Sequence, residues 1–351
     1  MISLQDFSYE ELLALVKDRG FPAFRAGQLL DMIIKNKSYA EATNLPKSLI
    51  ENLEKDYPPM SVELAGEYRG KDGAIKYLYR LLDGNIIEGV YMPHNYGNTL
   101  CVSAQVGCRM GCKFCASGIG GLVRNLTAGE MAGQVLLANR LNGGLPQKRA
   151  VTNIVLMGSG EPLDNYDNVI KFLQLISSDK GLNISPRNIS LSTVGIPSKI
   201  RELADSGFPV TLSISLHAPT NVKRERLIPL NKLHDIEDIL QAAKYYFDKT
   251  GRRIIFEYAL AEGENSTKES ANELVRLVKG LPAHINLIPL NYVKEKGLKS
   301  AHKDLINEFL GVLTQNNISA TVRRSMGSDI GGACGQLRNT FVKNSVTRSE
   351  E

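Results

Sequence analysis

The sequence predicts an α/β protein in which a small helical unit and a β-hairpin extension precede a parallel sheet. Helix-capping signals near the amino terminus, Asp-Gly turns, and an alternation of strand and helix from about residue 98 support this fold class. The six main strands of the predicted sheet are Thr99–Ala104, Asn153–Met157, Asn188–Thr193, Thr211–Leu216, Ile254–Leu260 and Ile285–Leu290. A final strand is expected near Ile318–Val322. Periodicity does not show whether the sheet closes into a barrel.

The first 58 residues predict a helical accessory unit. Ser8 and Glu11 have the spacing of a capping box ahead of an apolar run, and Gly20 suits the end of that helix. A second helix is expected from Phe24 to about Lys35. A third should follow Pro46, because proline fits the first turn of a helix.

Residues 59–97 predict a β-extension, because Asp72-Gly73 and Asp83-Gly84 separate segments of alternating polarity. The predicted domains are therefore an accessory unit at 1–58, the extension at 59–97 and the main α/β domain at 98–343. The main domain ends in a glycine-rich loop around Cys334, and residues 344–351 are expected to form a disordered tail.

The composition indicates a globular protein of the cytoplasm. No apolar run in the 351 residues approaches the roughly 20 that a membrane span needs, so no membrane association is expected. The amino terminus lacks the basic and apolar regions of a secretory signal. Three of the five cysteines share one short loop, which argues against a secreted disulfide framework. The net charge of +5 permits a nucleic-acid partner without requiring one.

The most informative motif is the spacing Cys-x-x-x-Cys-x-x-Cys at Cys108, Cys112 and Cys115. Three thiolates on one loop can bind three irons of a [4Fe-4S] cluster and leave the fourth iron open. An open iron can bind S-adenosylmethionine (SAM) and deliver the electron that splits it into a carbon radical. The alternative is a zinc site, which would need a fourth ligand from elsewhere in the chain.

Polar residues follow the predicted strands at their carboxyl ends, where α/β folds place their sites. Each has a plainer interpretation, since glycines often only make a turn and a lone histidine is often structural. Together they suit the amino, ribose and carboxylate groups of SAM. The candidate SAM-binding residues are Gly160, Glu161, Ser192, Ser215, Leu216, His217 and Asn291.

These motifs together closely resemble the RlmN family of radical-SAM enzymes. The resemblance is carried by the residues from Cys101 to Cys115, Asn125-Leu126-Thr127, Gly160-Glu161-Pro162, Ser213 to Pro219, and Ala333 to Leu337. It covers nearly the whole chain and implies a partial (β/α)6 radical-SAM barrel. The family methylates C2 of an adenine in 23S rRNA and, in some members, in tRNA. One departure is Ser159, where the family usually has methionine.

The resemblance also implies a mechanism that uses two SAM molecules. Cys334 takes a methyl group from the first SAM, because a thiolate is a good nucleophile. A 5′-deoxyadenosyl radical from the second SAM abstracts hydrogen from that methyl, and the resulting methylene radical adds to C2. Glu88 matches the family's general base for the C2 proton. Cys101 then attacks the sulfur of Cys334, which forms a transient disulfide and frees the methylated base. Without the resemblance, Cys101 in its apolar strand would be interpreted as an inert thiol and Glu88 as a solvated hairpin residue, whereas the glycine-rich stretch around Cys334 argues against an inert thiol there.

The resemblance further implies RNA partners, 23S rRNA and tRNA, and this chemistry suits a flavodoxin-type electron donor. A monomer is expected. In the accessory unit Arg25 and Lys35 are candidate RNA contacts, and Arg323, Arg324 or His217 could favour the Cys334 thiolate. The candidate phosphate contacts elsewhere are Lys223, Arg224, Arg226, Arg252, Arg253, Lys294, Lys296, Lys299, Arg323 and Arg324.

Two alternative functions remain at this stage. Cfr-type resistance enzymes share the chemistry but modify adenine C8, and they carry a further cysteine where this chain has Val106, which favours C2. A non-catalytic RNA-binding protein with a structural metal site would leave Cys101 and Cys334 without a role.

Overall fold

The structure, a computed structural model, describes residues 2–324 and 326–330. Three helices belong to the amino-terminal unit: α1 (Tyr9–Asp18), α2 (Arg25–Ile34) and α3 (Lys47–Leu53). The remaining described helices are α4 (Ala128–Leu141), α5 (Tyr166–Ser177), α6 (Pro197–Asp205), α7 (Asn221–Leu227), α8 (Ile236–Thr250), α9 (Lys268–Val278) and α10 (Lys303–Gln315). Short 3-10 turns occur at Leu4–Asp6, Tyr39–Glu41, Ala116–Gly118, Pro162–Asn165, Pro186–Asn188, Pro229–Lys232 and Ser328–Ile330.

Twelve strands fall within the described residues. The extension is formed by β1 (Val62–Arg69), β2 (Ile75–Leu81) and β3 (Ile86–Met92). A small hairpin is formed by β5 (Gln105–Gly107) and β6 (Leu122–Asn125). The parallel strands are β4 (Thr99–Cys101), β7 (Asn153–Leu156), β8 (Ile189–Thr193), β9 (Thr211–Ser215), β10 (Ile254–Leu260), β11 (Ala283–Pro289) and β12 (Ala320–Val322).

The helix starts follow the predicted capping chemistry. Ser8 Oγ accepts a hydrogen bond from the backbone N–H of Glu11, and the Glu11 carboxylate accepts one from Ser8 N–H at 2.7 Å. Thr127 and Glu130 make the same reciprocal pair at the start of α4. Both capping boxes are confirmed, and each satisfies two backbone N–H groups that a helix leaves without internal partners.

Within the described residues, ten strands form one sheet in the order β1-β2-β3-β4-β7-β8-β9-β10-β11-β12. The strands from β1 to β4 pair antiparallel, and those from β4 to β12 pair parallel. Among the described pairings β12 does not return to β1, so the sheet is an open, partial barrel. The predicted fold class is confirmed.

One strand is shorter than the sequence predicts. We expected a strand over Thr99–Ala104, but β4 ends at Cys101. The next residues bend away because the N–H of Ala104 donates to Ser159 O and the Ser103 hydroxyl donates to Glu88 O. The chain then enters the β5–β6 hairpin, which lies outside the main sheet.

One apolar core runs from Leu4 in the amino-terminal unit to Leu313 in α10. The amino-terminal unit contacts α4, where Asp6 accepts a hydrogen bond from Gly129 N–H at 2.7 Å and the Ser61 hydroxyl donates to Gly129 O at 2.7 Å. The predicted domain boundaries stay a prediction. In the part of the chain that the structure describes, no helix combines the length and the apolar character that crossing a bilayer requires.

The close approach at α4 yields a stability prediction. A Cβ at Gly133 would lie 2.7 Å from Gln5 Oε1 and closer still to Ser61 Oγ. Although alanine favours helix over glycine, Gly133→Ala should lower the free energy of unfolding by about 1–3 kcal/mol because it overpacks this contact. Gly311→Ala in α10 is the matched control, since nothing lies within 4 Å of its Cβ position. It should stabilise by about 0.5–1 kcal/mol. Chemical denaturation measures both, and equal effects would contradict the docking of the amino-terminal unit on α4.

Candidate active site

A cavity of about 880 Å³ lies within the open barrel. Its size is at the upper end of small-molecule sites. The described candidate residues that line it are Glu88, Cys101, Cys108, Cys112, Cys115, Gly160, Glu161, Ser192, Ser215, His217 and Asn291. Leu216 is the exception: it is fully buried and its backbone N–H donates to Glu257 O at 3.0 Å. Cys334 lies outside the described residues.

The cysteine loop lies between the strands of the β5–β6 hairpin. Gly107 has a φ of +81°, and a Cβ there would collide with Gly121 O, so only glycine suits this turn. The loop is fixed further by hydrogen bonds from Cys108 N–H to Gly121 O at 3.0 Å and from Lys113 N–H to Leu227 O at 2.9 Å. The loop therefore presents its cysteines to the cavity from a backbone that is tied down on both sides.

The surroundings of the three thiols fit an iron–sulfur cluster. Cys108 and Cys112 are buried in an apolar cluster with Met110, Leu227 and Ile228, and Cys115 packs against it. Burial, and then the charge of Cys115, raises the pKa of the Cys108 thiol to about 12. Burial and the two neighbouring cysteines likewise raise the pKa of Cys112. Bound iron would reverse this, because a coordinating thiol loses its proton to the metal.

Among the described residues, no three His, Cys, Asp or Glu side chains are grouped so that they could hold one metal ion. This finding concerns a single ion. In a [4Fe-4S] cluster each thiolate binds its own iron, so the sulfurs surround the cluster and do not converge on one atom.

Glu161 lies beside this loop at the carboxyl end of β7. Gly160, with a φ of +103°, lets the chain pass Gln105, whose backbone N would lie 2.8 Å from a Cβ. The Glu161 carboxylate accepts hydrogen bonds from the N–H groups of Val194 at 2.8 Å and Leu163 at 3.0 Å. Burial raises its pKa to about 7. A buried carboxyl of this kind suits an ammonium group such as that of SAM.

His217 follows β9 with a φ of +55°. Its Nδ1 accepts a hydrogen bond from Ala259 N–H at 2.9 Å, and burial lowers its pKa to about 3. The ring is therefore neutral and carries its proton on Nε2. A neutral ring supplies no positive charge, and the expected influence of His217 on the Cys334 thiolate stays a prediction. His217 is both hydrogen-bonded and part of the cavity wall.

Sequence reasoning missed other polar residues that line the cavity, among them Ser190, Ser213 and Glu257. Ser213 Oγ is buried and has no hydrogen-bond partner among the described residues. The Ser192 hydroxyl donates to Glu257 Oε2 at 2.8 Å, and both residues line the cavity. The repeated spacing Ser190-x-Ser192 and Ser213-x-Ser215 was the available signal, since alternate residues of a strand share one face.

Part of the cavity wall comes from the extension. Glu88 on β3 is buried and pairs with Lys76 on β2, with 2.8 Å between Oε2 and Nζ. The interpretation of Glu88 as a solvated hairpin residue is therefore wrong. Cys101 at the end of β4 also lines the cavity, and burial raises the pKa of its thiol to about 11. The expected approach of Cys101 to Cys334 stays a prediction.

Arg224 corrects another prediction. We expected it to contact RNA, but its side chain is fully buried. Its guanidinium donates hydrogen bonds to the carbonyl oxygens of Leu216 at 3.1 Å, Ser215 at 3.1 Å and Val194, and to Asn231 Oδ1 at 2.9 Å. Burial lowers its pKa to about 10. The residue ties the ends of β8 and β9 together beneath the cavity.

This network yields a prediction for Arg224→Lys. Lysine lacks the planar fork that reaches several carbonyls at once, so the variant leaves buried acceptors without donors. We expect a loss of about 2–5 kcal/mol in the free energy of unfolding. Arg226→Lys on the same helix is the control and should change stability by less than about 0.5 kcal/mol, because Arg226 is exposed. Denaturant titration compares the two variants. If Arg224→Lys leaves the free energy of unfolding unchanged, the hydrogen bonds of Arg224 do not stabilise the fold.

Comparison with known proteins agrees with this site. The Radical SAM superfamily model matches residues 102–277. A "Probable dual-specificity RNA methyltransferase RlmN" from Clostridium perfringens (strain 13 / Type A) is 50% identical and covers 98% of both chains. A protein of the same name from Clostridium botulinum (strain Alaska E43 / Type E3) is 46% identical over 100% of both. The crystal structure of a radical SAM methyltransferase from Sphaerobacter thermophilus matches with a TM-score of 0.92 and 40% identity over 96% of this chain and 99% of that one.

These matches confirm the family that the motifs indicated and exclude the interpretation as a non-catalytic binding protein. The cofactors of the superfamily are a [4Fe-4S] cluster and SAM, as the cysteine spacing predicted. The chain belongs to the RlmN family of radical-SAM RNA methyltransferases.

Proposed function

We propose that this enzyme methylates C2 of an adenine in 23S rRNA and of the adenine 3′ of the anticodon in some tRNAs. The reaction is a ping-pong process that consumes two SAM molecules per turnover. The observation that carries the proposal is the composition of the cavity wall. Glu88 and Cys101 line the same cavity as Cys108, Cys112 and Cys115, although the first two belong to the main sheet and the other three to the loop of the β5–β6 hairpin.

The chemistry at C2 requires both groups of side chains. C2 lies between two ring nitrogens and is electron-poor, so it does not attack an ordinary methyl donor. The bound cluster and SAM supply a carbon radical, which is the chemistry that activates an inert methyl group. The protein must then remove a proton from C2. Glu88 is assigned this role, because Lys76 holds its carboxylate at 2.8 Å on the cavity wall.

The cysteine pair is supported by the way the described chain ends. Gly327 N–H donates to Asp72 Oδ2 at 2.7 Å, and Lys71 N–H donates to Asp329 Oδ2 at 3.1 Å. These bonds fix the chain beside the start of β2, the strand that carries Lys76. Cys334 follows Ile330 by four residues in the sequence and lies outside the described residues. We assign Cys334 as the methyl carrier and Cys101 as the thiol that releases the product.

The RNA substrate is proposed to reach the cavity as an unpaired base, because an atom inside a duplex is inaccessible. Tyr96 is 79% exposed and stacks on His94 with ring centroids 4.8 Å apart, and both residues line the cavity. Exposed aromatic rings are typical platforms for unpaired RNA bases. Arg323 and Arg324 are exposed at the cavity and suit phosphates.

The accessory unit is proposed as a second RNA contact through Arg25 and Lys35. Arg25 lies over the exposed ring of Phe24 at 4.6 Å, and Lys35 pairs with Asp31 at 2.7 Å. Both cations are half-buried, and pairs of this kind are weak enough to exchange for phosphate. A flavodoxin-type protein as electron donor and a monomeric enzyme complete the proposal.

The test combines anaerobic cluster reconstitution with methylation of protein-free 23S rRNA, and mass spectrometry identifies the modified atom. The parent should yield 2-methyladenosine, and Cys334→Ala should abolish the product. Cys334→Ala must retain the absorbance of the cluster, so that a lost cluster does not explain lost activity. Methyl at C8 would place the enzyme in the Cfr-type class. Zinc in place of iron, with no methylation, would contradict the proposal.

A further inference from the structure

Lys76 has no role in the family chemistry described above, yet its position is unusual. Its side chain is fully buried, and its ammonium lies 2.8 Å from the carboxylate of Glu88, which is itself only 6% exposed. Fully buried lysines are rare in proteins unless they are paired. Lys76 does not line the cavity, whereas Glu88 does. It therefore acts on the cavity through its neighbours.

The strand register places Lys76, Glu88 and Cys101 on one face of the sheet. Lys76 on β2 lies opposite Val90 on β3, and Val90 lies opposite Cys101 on β4. Glu88 is two residues before Val90, and alternate residues of a strand point to the same side. Glu88 is diagonal to Lys76 on β2 and to Cys101 on β4, within interaction distance of both, whereas β3 separates Lys76 from Cys101. The cation thus belongs to the same group of side chains as the proposed base and the proposed releasing thiol.

A buried ion pair is weak evidence for a stabilising role. Removing two charges from water costs about as much as their attraction returns, and apolar replacements of such pairs are often neutral. A pair retained beside a reaction cavity is better explained by what it does to ionisable neighbours.

Among the described residues, charged groups from three parts of the chain act on the Cys101 thiol. Arg323 beyond β12 and Lys76 on β2 favour its thiolate, whereas Glu88 on β3 opposes it. Tyr79, which is also on β2, is fully buried, and burial raises the pKa of its phenol so that it stays protonated. Burial outweighs all of these effects and raises the pKa of Cys101 to about 11. Cys101 thus needs a change in its surroundings before it becomes a nucleophile near neutral pH.

We propose that Lys76 is a positioning residue that holds one negative charge in this buried group, on Glu88 before proton transfer and on Cys101 afterwards. The proposal rests on the function proposed above. While Glu88 is ionised, its charge opposes a second anion and Cys101 stays a thiol. Once Glu88 has accepted the proton from the substrate, the charge of Lys76 favours the Cys101 thiolate, and Glu88 no longer opposes it.

The proton balance of this exchange is simple. The C–H bond of the substrate gives its proton to the Glu88 carboxylate, which becomes a neutral carboxylic acid. The Cys101 S–H bond gives its proton to water in the cavity, which leaves a thiolate. No proton moves to or from Lys76, so the total charge of the three side chains is the same before and after. Cys101 is therefore activated only after Glu88 has accepted the proton of the substrate.

The test measures the reactivity of Cys101 in the full-length, cluster-loaded protein under anaerobic conditions. Iodoacetamide alkylates the chain between pH 6 and 10, and mass spectrometry quantifies the modified Cys101 peptide. Thiolate is the reactive species, so the rate reports the ionised fraction. Rates in denaturant correct for differences in the reagent, and circular dichroism checks the fold of each variant.

Glu88→Gln mimics the protonated base and should raise the alkylation rate of Cys101 at pH 8 by about three- to tenfold. One pKa unit gives tenfold more thiolate, and the lower basicity offsets part of this gain. Lys76→Met should lower the rate by a similar factor, whereas Lys76→Arg, which keeps the charge, should stay within about twofold of the parent. Lys76→Met/Glu88→Gln should react more slowly than Glu88→Gln alone, because the cation that would stabilise the Cys101 thiolate is absent.

The double variant Lys76→Met/Glu88→Gln contains no buried charge at these positions and keeps the fold testable. An unchanged or slower rate in Glu88→Gln would overturn the proposal, as would a double variant that reacts as fast as Glu88→Gln alone. The assay needs neither RNA nor SAM. If the alkylation rates follow the expected order but no methylated product forms, only the proposed function is contradicted. If methylated product forms but the alkylation rates do not follow that order, only the role of Lys76 is contradicted.

Discussion

The short strand β4 is the constraint on which the rest of the site depends. It pairs antiparallel with β3 and parallel with β7, so one sheet contains both the extension and the barrel. This junction lets a hairpin of the extension contribute Glu88 to the wall of a barrel cavity. It also places Cys101 where the two parts meet. Without this pairing, the cluster loop and the proposed base would belong to separate structures.

The cavity is polar, and backbone groups offset the cost of burying its charges. Arg224 binds the carbonyl oxygens at the ends of β8 and β9, and Glu161 binds the N–H groups of Leu163 and Val194. His217 is held as a neutral ring by Ala259 N–H. Such bonds compensate buried polar groups and also fix their orientation. The interior therefore offers prearranged donors and acceptors to SAM and to a base.

Local signals in the sequence predicted much of this structure. The capping boxes at Ser8 and Thr127 and the strand Ile254–Leu260 follow from short-range chemistry that a sequence displays directly. The cysteine spacing likewise identified the cofactors. The early end of β4 could not be predicted, because it depends on hydrogen bonds from Ser103 and Ala104 to distant segments. In the candidate site, most polar side chains at the ends of strands do line the cavity.

The long cationic side chains were the least predictable residues. Arg224 and Arg226 look alike on helix α7, but only the tertiary packing decides that one is buried and the other exposed. Lys76 occupies an alternating strand that suggests a solvent-facing position, yet the barrel covers that face. Charged side chains are usually exposed, so buried ones depart from what an alternation of polar and apolar residues predicts. The partners that stabilise them are remote in sequence.

The most direct test of the proposed mechanism is to trap the covalent intermediate that joins the substrate to Cys334. If Cys334 carries the one-carbon unit and Cys101 releases the product, Cys101→Ala should accumulate RNA bound covalently to the protein. Nuclease digestion and mass spectrometry should then find an adenosine joined to Cys334 through a single carbon, and Cys101→Ala/Cys334→Ala should carry none. Release of free methylated RNA by Cys101→Ala at the parent rate would contradict the central claim.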